Sequence, residues 1–160
     1  RHDLIDQIKS LKKKFPDYES FKTADISKIF DEKTLNESDI LITNTLETSI
    51  YINKEGFEFE KINIPSEVQF SPVYSINSHD FDGDGDEDVL LGGNLYDVKP
   101  EVGIYDASYG LYLENLGNLK FKYHKDGNGF FVKGEIRDLL ISDRNIFVSK
   151  NNDKMEVFKF

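Results

Sequence analysis

The stretch His79-Asp80-Phe81-Asp82-Gly83-Asp84-Gly85-Asp86-Glu87-Asp88-Val89-Leu90-Leu91-Gly92-Gly93-Asn94 decides how this chain is read. Six carboxylates fall between Asp80 and Asp88, with no basic residue among them. Unit charges a few ångströms apart repel by roughly 1–4 kcal/mol per pair near a protein surface. Two glycines inside the run allow sharp bends, and Val89-Leu90-Leu91 follows as a buried-type apolar run. Carboxylates crowded inward by such a bend call for a cation at their centre. Oxygen-only ligands at alternate positions suit a hard cation of flexible geometry, and calcium is the first choice.

Spacing narrows the reading. Asp80, Asp82 and Asp84 occupy positions 1, 3 and 5 of a loop, and Gly85 occupies position 6, as in an EF-hand. An EF-hand also requires a bidentate Glu at position 12, which here is Leu91. The next carboxylate able to serve is Asp88, at position 9, directly before a strand. Asp126-Gly127-Asn128-Gly129 reads as a turn rather than a second metal loop. Ser142-Asp143-Arg144-Asn145 reads as a tight turn without a carboxylate series, so one metal site is predicted.

Working outward, residues 1–30 show helical spacing. Asp3 is placed to cap a helix carrying Leu4, Ile8, Leu11 and Phe15, which Pro16 ends. A second helix is predicted from Tyr18 to Phe30, and residues 31–38 read as a loop. From Asp39 the pattern changes to short strands. They are predicted at 40–43, 49–53, 57–60, 73–76, 89–91, 111–113, 120–123, 136–141, 146–148 and 155–158, with a long loop over 93–109. A helical segment at 1–38 packing on a sheet, followed by a β-rich region at 39–160, is the expected division.

A weak internal repeat runs through the second part. Ile50-Tyr51-Ile52, Gly56 and Phe57-Glu58-Phe59 match Leu111-Tyr112-Leu113, Gly117 and Leu119-Lys120-Phe121. Each match precedes a longer apolar strand, at 73–76 and at 136–141. Repeated units of this kind mark propeller blades. The predicted fold class is therefore mainly β: about two to three blades of a partial β-propeller, preceded by the short helical segment. Two and a half blades cannot close a ring, and their edges would need covering. Beginning at Arg1 without a methionine, the chain is expected to be a piece of something longer.

Composition removes several function classes. The chain has 160 residues and a net charge of −10. With no basic patch beyond Lys12-Lys13-Lys14, nucleic acid is an unsuitable partner. There is no cysteine, so neither disulfides nor thiolate metal sites arise. No stretch is long and apolar enough to span a membrane. His2, His79 and His124 lack a nucleophile motif, so no catalytic residue is assigned and the chain is not expected to be an enzyme. A glycosidase carboxylate pair remains open by count alone.

The pattern Asp-x-Asp-Gly-Asp-Gly-x-x-Asp running into Val-Leu-Leu-Gly-Gly-Asn resembles the FG-GAP/VCBS repeats of β-propeller proteins. Phe15-Pro16-Asp17-Tyr18, Ser71-Pro72-Val73-Tyr74, Gly103 to Gly110, Gly134 to Leu139 and Asn151-Asn152-Asp153 extend the likeness. Together they resemble the C-terminal part of large bacterial, Bacteroidetes-like VCBS/FG-GAP repeat proteins of the ASPIC/UnbV-associated type. The resemblance implies calcium held by the side chains of Asp80, Asp82, Asp84 and Asp88 and by the main chain of Asp86, with Glu87 facing solvent. It implies an extracytoplasmic home: secreted, periplasmic or on the outer cell surface. It implies no activity. The expected role is a protein-interaction or adhesion scaffold, with Tyr96, Tyr105 and Tyr109 as candidate contacts. The alternative is a calcium-dependent carbohydrate-binding module that uses the same tyrosines for stacking.

Overall fold

The structure, a computed structural model, describes all residues from Arg1 to Phe160. It divides into two compact units, Arg1–Thr45 and Leu46–Phe160. Residues 39–45, expected to begin the β region, belong to the first unit.

The first unit holds five short helices: α1 (His2–Gln7), α2 (Leu11–Lys14), α3 (Tyr18–Phe21), α4 (Ile26–Ile29) and α5 (Glu32–Asn36). Ile5, Leu11 and Phe15 are buried together, with Phe21 and Ile29 packed beside them. The apolar spacing holds, but the two long helices do not form. The first breaks at residues 8–10, where Ser10 starts α2 without a side-chain cap, and three aspartates cap the helices that follow. Asp17 accepts from the Ser20 N–H (2.8 Å), Asp25 from the Lys28 N–H (3.0 Å) and Asp31 from the Thr34 N–H (2.7 Å). Each cap gives an acceptor to a backbone N–H that a new helix start would otherwise leave without an intrahelical partner. The cap at Asp31 turns the expected loop at 31–38 into α5. Asp3 lies in the first turn of α1 and is not its cap. The expected strand at 40–43 is also absent. Ile40 and Leu41 are 82% and 94% exposed and pair with nothing, because β-branched residues make a strand only where another strand completes the ladder.

The second unit is antiparallel throughout. A hairpin joins β1 (Ile50–Glu55) to β2 (Glu58–Ile62). A four-stranded meander follows: β3 (Val73–His79), β4 (Asp88–Gly93), β5 (Leu111–Asn115) and β6 (Phe121–Tyr123), paired in that order. A three-stranded meander ends the chain: β7 (Ile136–Ser142), β8 (Asn145–Lys150) and β9 (Glu156–Lys159). The protein is thus mainly β, with nine strands in three antiparallel sheets, and these sheets close no ring.

Strand β4 explains why Val89-Leu90-Leu91 is apolar without alternation. It pairs on both edges, Leu90 opposite Asn77 and Tyr112, Leu91 opposite Ile76 and Leu111. Adjacent residues point to opposite faces. Leu90 joins Tyr112, Ile136, Leu139, Ile146 and Val148 in one core. Leu91 joins Val68, Leu111 and Leu113 in the other. The glycines that follow let neighbours approach closely. A Cβ on Gly92 would meet Ile136 Cγ2 at 2.3 Å, and one on Gly93 would meet the Pro72 carbonyl oxygen at 1.8 Å.

Candidate functional site

Strands β3 and β4 pair as far as His79 opposite Asp88, so residues 80–87 form the loop that closes this hairpin. The equivalent corner between β7 and β8 needs only Asp143 and Arg144, both at positive φ (48° and 62°), as a two-residue hairpin turn requires. The extra residues at 80–87 therefore do something other than reverse the chain.

Their carboxylates organise the loop's own backbone. Asp80 accepts from the N–H groups of Gly83 (2.7 Å) and Gly85 (3.1 Å). Asp82 accepts from the Asp84 N–H (3.1 Å), and Asp84 from the Asp86 N–H (2.9 Å). Gly83 and Gly85 sit at φ +84° and +97°, where a side chain would be strained. The result gathers Asp80, Asp82 and Asp84, one oxygen from each lying within 4.8 Å of the others. Calcium–oxygen bonds of about 2.3–2.6 Å place ligands on opposite sides of the ion about that far apart, so the three oxygens fit one coordination sphere. The charges are felt locally. The Asp84 N–H bonded to Asp82 acts to lower the Asp82 pKa. Desolvation and the charges of Asp84, Asp88 and Asp80 outweigh it and push the pKa up.

Asp88 has a different environment. It is fully buried, and both its oxygens are engaged. Oδ2 accepts from the Tyr112 hydroxyl (2.7 Å) and the Phe81 N–H (3.2 Å), and Oδ1 accepts from the Asn115 N–H (2.8 Å). Asn115 also donates through Nδ2 to the Glu87 carbonyl (3.1 Å), while the exposed Glu87 carboxylate accepts from Ser78 (2.6 Å). Asp88 thus anchors the base of the loop to β5. The Asp86 carboxylate lies toward Gly117, where an added Cβ would sit 3.4 Å from Oδ2. Phe81, flanked by two of the aspartates, turns inward and makes edge contacts with Tyr112, His79 and the C-terminal Phe160.

A second polar centre is not visible in the sequence. Asn94 is buried at φ +82°. Its Oδ1 accepts from the Ser71 hydroxyl (2.7 Å) and the Ser108 N–H (3.1 Å), and its Nδ2 donates to the carbonyls of Ser108 (2.7 Å) and Gly134 (2.9 Å). Nearby, buried Glu135 accepts from the Tyr96 N–H (2.7 Å), Arg137 (2.7 Å) and Asn151 Nδ2 (2.9 Å). Together they pin the long loop after β4 onto the start of β7.

The Tyr96 N–H first, then Asn151 and Arg137, hold the Glu135 carboxyl below its ordinary range against the cost of burial. A depressed carboxylate pKa stabilises the fold above the unfolded value of about 4.3, and that stability is lost as pH falls through the folded value. Glu135→Gln is expected to cost about 2 kcal/mol at neutral pH. Its urea midpoint should converge on that of the unaltered protein as the pH is lowered below the carboxylate range. Parallel midpoints across that range would show that Glu135 carries no pH-linked stability.

The three tyrosines line different features. Tyr109 stacks on Phe131 with ring centres 4.7 Å apart and planes within 10°. Tyr96 lines a separate cleft with Asp97, Glu135 and Asn152. Tyr105 forms a lone bridge with Leu95. The histidines form no triad: His2 meets Tyr18, His79 meets Phe81 and Phe160, and His124 pairs with Glu114. Asp126 caps the short turn at Gly127–Gly129. No helix is long and apolar enough to cross a membrane.

Fold and site together define a β-rich protein of antiparallel meanders with an acidic hairpin loop at one end of its best-buried sheet. No family model, curated protein or solved structure matches the chain.

Proposed function

We propose that this chain is a calcium-stabilised module of β-propeller blades from a secreted or cell-surface protein, serving as a protein-interaction scaffold without enzymatic activity. The gathering of Asp80, Asp82 and Asp84 within one coordination sphere carries the reading. When bound, calcium would cancel their mutual repulsion and stiffen the corner between β3 and β4. Asp88 would hold the base of the loop, and Phe81 would tie it to the core. Calcium concentrations that saturate such loops occur outside the cytosol, which is the basis for the extracytoplasmic assignment.

The sheet pattern supports the blade reading. The hairpin β1–β2 is the outer half of one blade, β3 to β6 a complete four-stranded blade, and β7 to β9 most of the next. Both inner hairpins start with a register shift, between Val73 and Ser75 and between Ile136 and Asp138. Their first strands are neighbours, Asn77 Nδ2 donating to the Leu139 carbonyl at 3.0 Å.

The experiment is a thermal melt in calcium, in magnesium and in chelator. At a calcium concentration one hundred times the dissociation constant, linkage adds about 2.7 kcal/mol. Asp82→Ala combined with Asp84→Ala is expected to abolish the calcium response while leaving the melt in chelator unchanged or slightly higher. Superimposed melts of the unaltered protein with and without calcium would remove the proposal.

A further inference from the structure

Most polar side chains of the second unit have partners within the chain, and no buried side-chain nitrogen or oxygen lacks one. One concavity gathers exposed aromatic and polar side chains. It has a volume of about 510 Å³ and lies between the 3-10 turn Ser66–Gln69, the start of β5 and the segment after β6. Phe70, Tyr109 and Phe131 line it, 58%, 44% and 53% exposed. Glu67, Tyr123 and Lys125 line it as well. The lining thus offers the Lys125 ammonium, the hydroxyls of Tyr109 and Tyr123, and the Glu67 carboxylate, which has a long contact from Ser66 (3.4 Å).

We infer that this concavity binds a neutral pyranose sugar, one or two rings long. Exposed aromatics occur elsewhere in this chain, Phe57 and Phe59 among them, but here three surround one hollow of ligand size. The parallel stack of Tyr109 on Phe131 holds both rings in place, so their ordering is complete before a ligand arrives. The hollow is not generally apolar. Its polar groups include cationic and hydroxyl donors, from Lys125 and the tyrosines, and an anionic acceptor, from Glu67. A sugar ring matches this set: its C–H face lies on aromatic π-surface, and its rim of hydroxyls both donates and accepts. An apolar peptide side chain would leave those polar groups unpaired. The net charge of −10 opposes a polyanionic glycan. Gly110 forms part of the floor. At φ +79°, a Cβ there would stand 2.5 Å from the Phe130 ring, so the absence of a side chain lets that ring close the pocket from below.

This reading adds a ligand class to the scaffold and does not rest on calcium, since no lining residue belongs to the 80–88 loop. Of the three tyrosines, Tyr109 alone lines the hollow.

The test is saturation-transfer NMR on the whole chain, with glucose, galactose, mannose, N-acetylglucosamine and cellobiose each at millimolar concentration. At least one sugar is expected to respond. Tyr109→Ala and Phe131→Ala should each weaken that response about tenfold, and Lys125→Ala several-fold, while Tyr96→Ala leaves it unchanged. Tyr109→Phe keeps the stacking ring and loses only the hydroxyl, so it should weaken the response less than Tyr109→Ala, which guards against an alanine variant that merely unfolds. Silence across the panel would overturn the inference. So would a response that survives Tyr109→Ala in folded protein, or a pulled-down protein partner released by Tyr109→Ala with no sugar response.

Discussion

Asp88→Ala should lower the melting temperature in chelator as well as in calcium. Removing the carboxylate strips acceptors from the Tyr112 hydroxyl and from the N–H groups of Phe81 and Asn115. A buried donor left without a partner costs about 1–3 kcal/mol, so the total is about 4 kcal/mol or more. For a unit of this size, that corresponds to a drop on the order of 15 °C. Asp88→Asn is the sharper variant, since it conserves volume. It keeps one acceptor oxygen but turns an amide NH2 toward a donor, so it should still lose about half of that stability. Tyr112→Phe removes one donor and leaves the other two satisfied, so it should cost far less. The Asp88→Ala and Tyr112→Phe effects should be non-additive, because both variants delete the same contact. The contrast with the loop tip is the useful part. Alanine at Asp82 and Asp84 lowers the melt only when calcium is present, whereas alanine at Asp88 lowers it regardless. If Asp88→Ala destabilises only in calcium, its carboxylate belongs to the metal and the hydrogen bonds to β5 are secondary.

That contrast also marks how far the sequence can be read. Spacing and glycine placement carry the information for Asp80, Asp82 and Asp84, because the contacts that gather them lie within five residues. Nothing local distinguishes Asp88 from them. Its donors Tyr112 and Asn115 are 24 and 27 residues away, and only the pairing of β4 with β5 brings them there. The same limit applies to Asn94, whose partners sit at 71, 108 and 134. Strands buried on both faces, as β4 is, show themselves as continuous apolar runs, so the meander from β3 onward is legible. The second expected helix fails because the cap at Asp25 restarts the chain inside it, and aspartate three residues before a backbone donor is itself a local signal, whereas the break at residues 8–10 in the first carries no such cap. Residues 40–43 show the opposite case: high β-propensity with no strand to pair against.

Asn94 carries the second large effect, because a single side chain closes four hydrogen bonds between three segments. Asn94→Ala leaves the Ser71 hydroxyl, the Ser108 N–H and two carbonyls without partners, and it forces a Cβ other than asparagine's into φ +82°. The expected loss is about 4 kcal/mol. Asn94→Gly removes the same bonds without the backbone strain and should be less severe by about 1 kcal/mol, so the pair separates network from conformation. Asn94→Asp tests the polarity of the network. A carboxylate keeps the acceptor but points a charged oxygen at the Ser108 and Gly134 carbonyls, where a donor is required. Burial and those carbonyl dipoles would raise its pKa above the unfolded value. A raised carboxylate pKa stabilises the fold most at low pH and less as pH rises through the unfolded value toward neutrality. Asn94→Asp should therefore lie well below Asn94→Gly in stability at pH 7 and close that gap as the pH falls toward about 4, where the protonated acid donates one hydrogen bond. A gap that stays constant with pH would mean that Asn94 is held by shape, and that the carbonyls of Ser108 and Gly134 find their donors elsewhere.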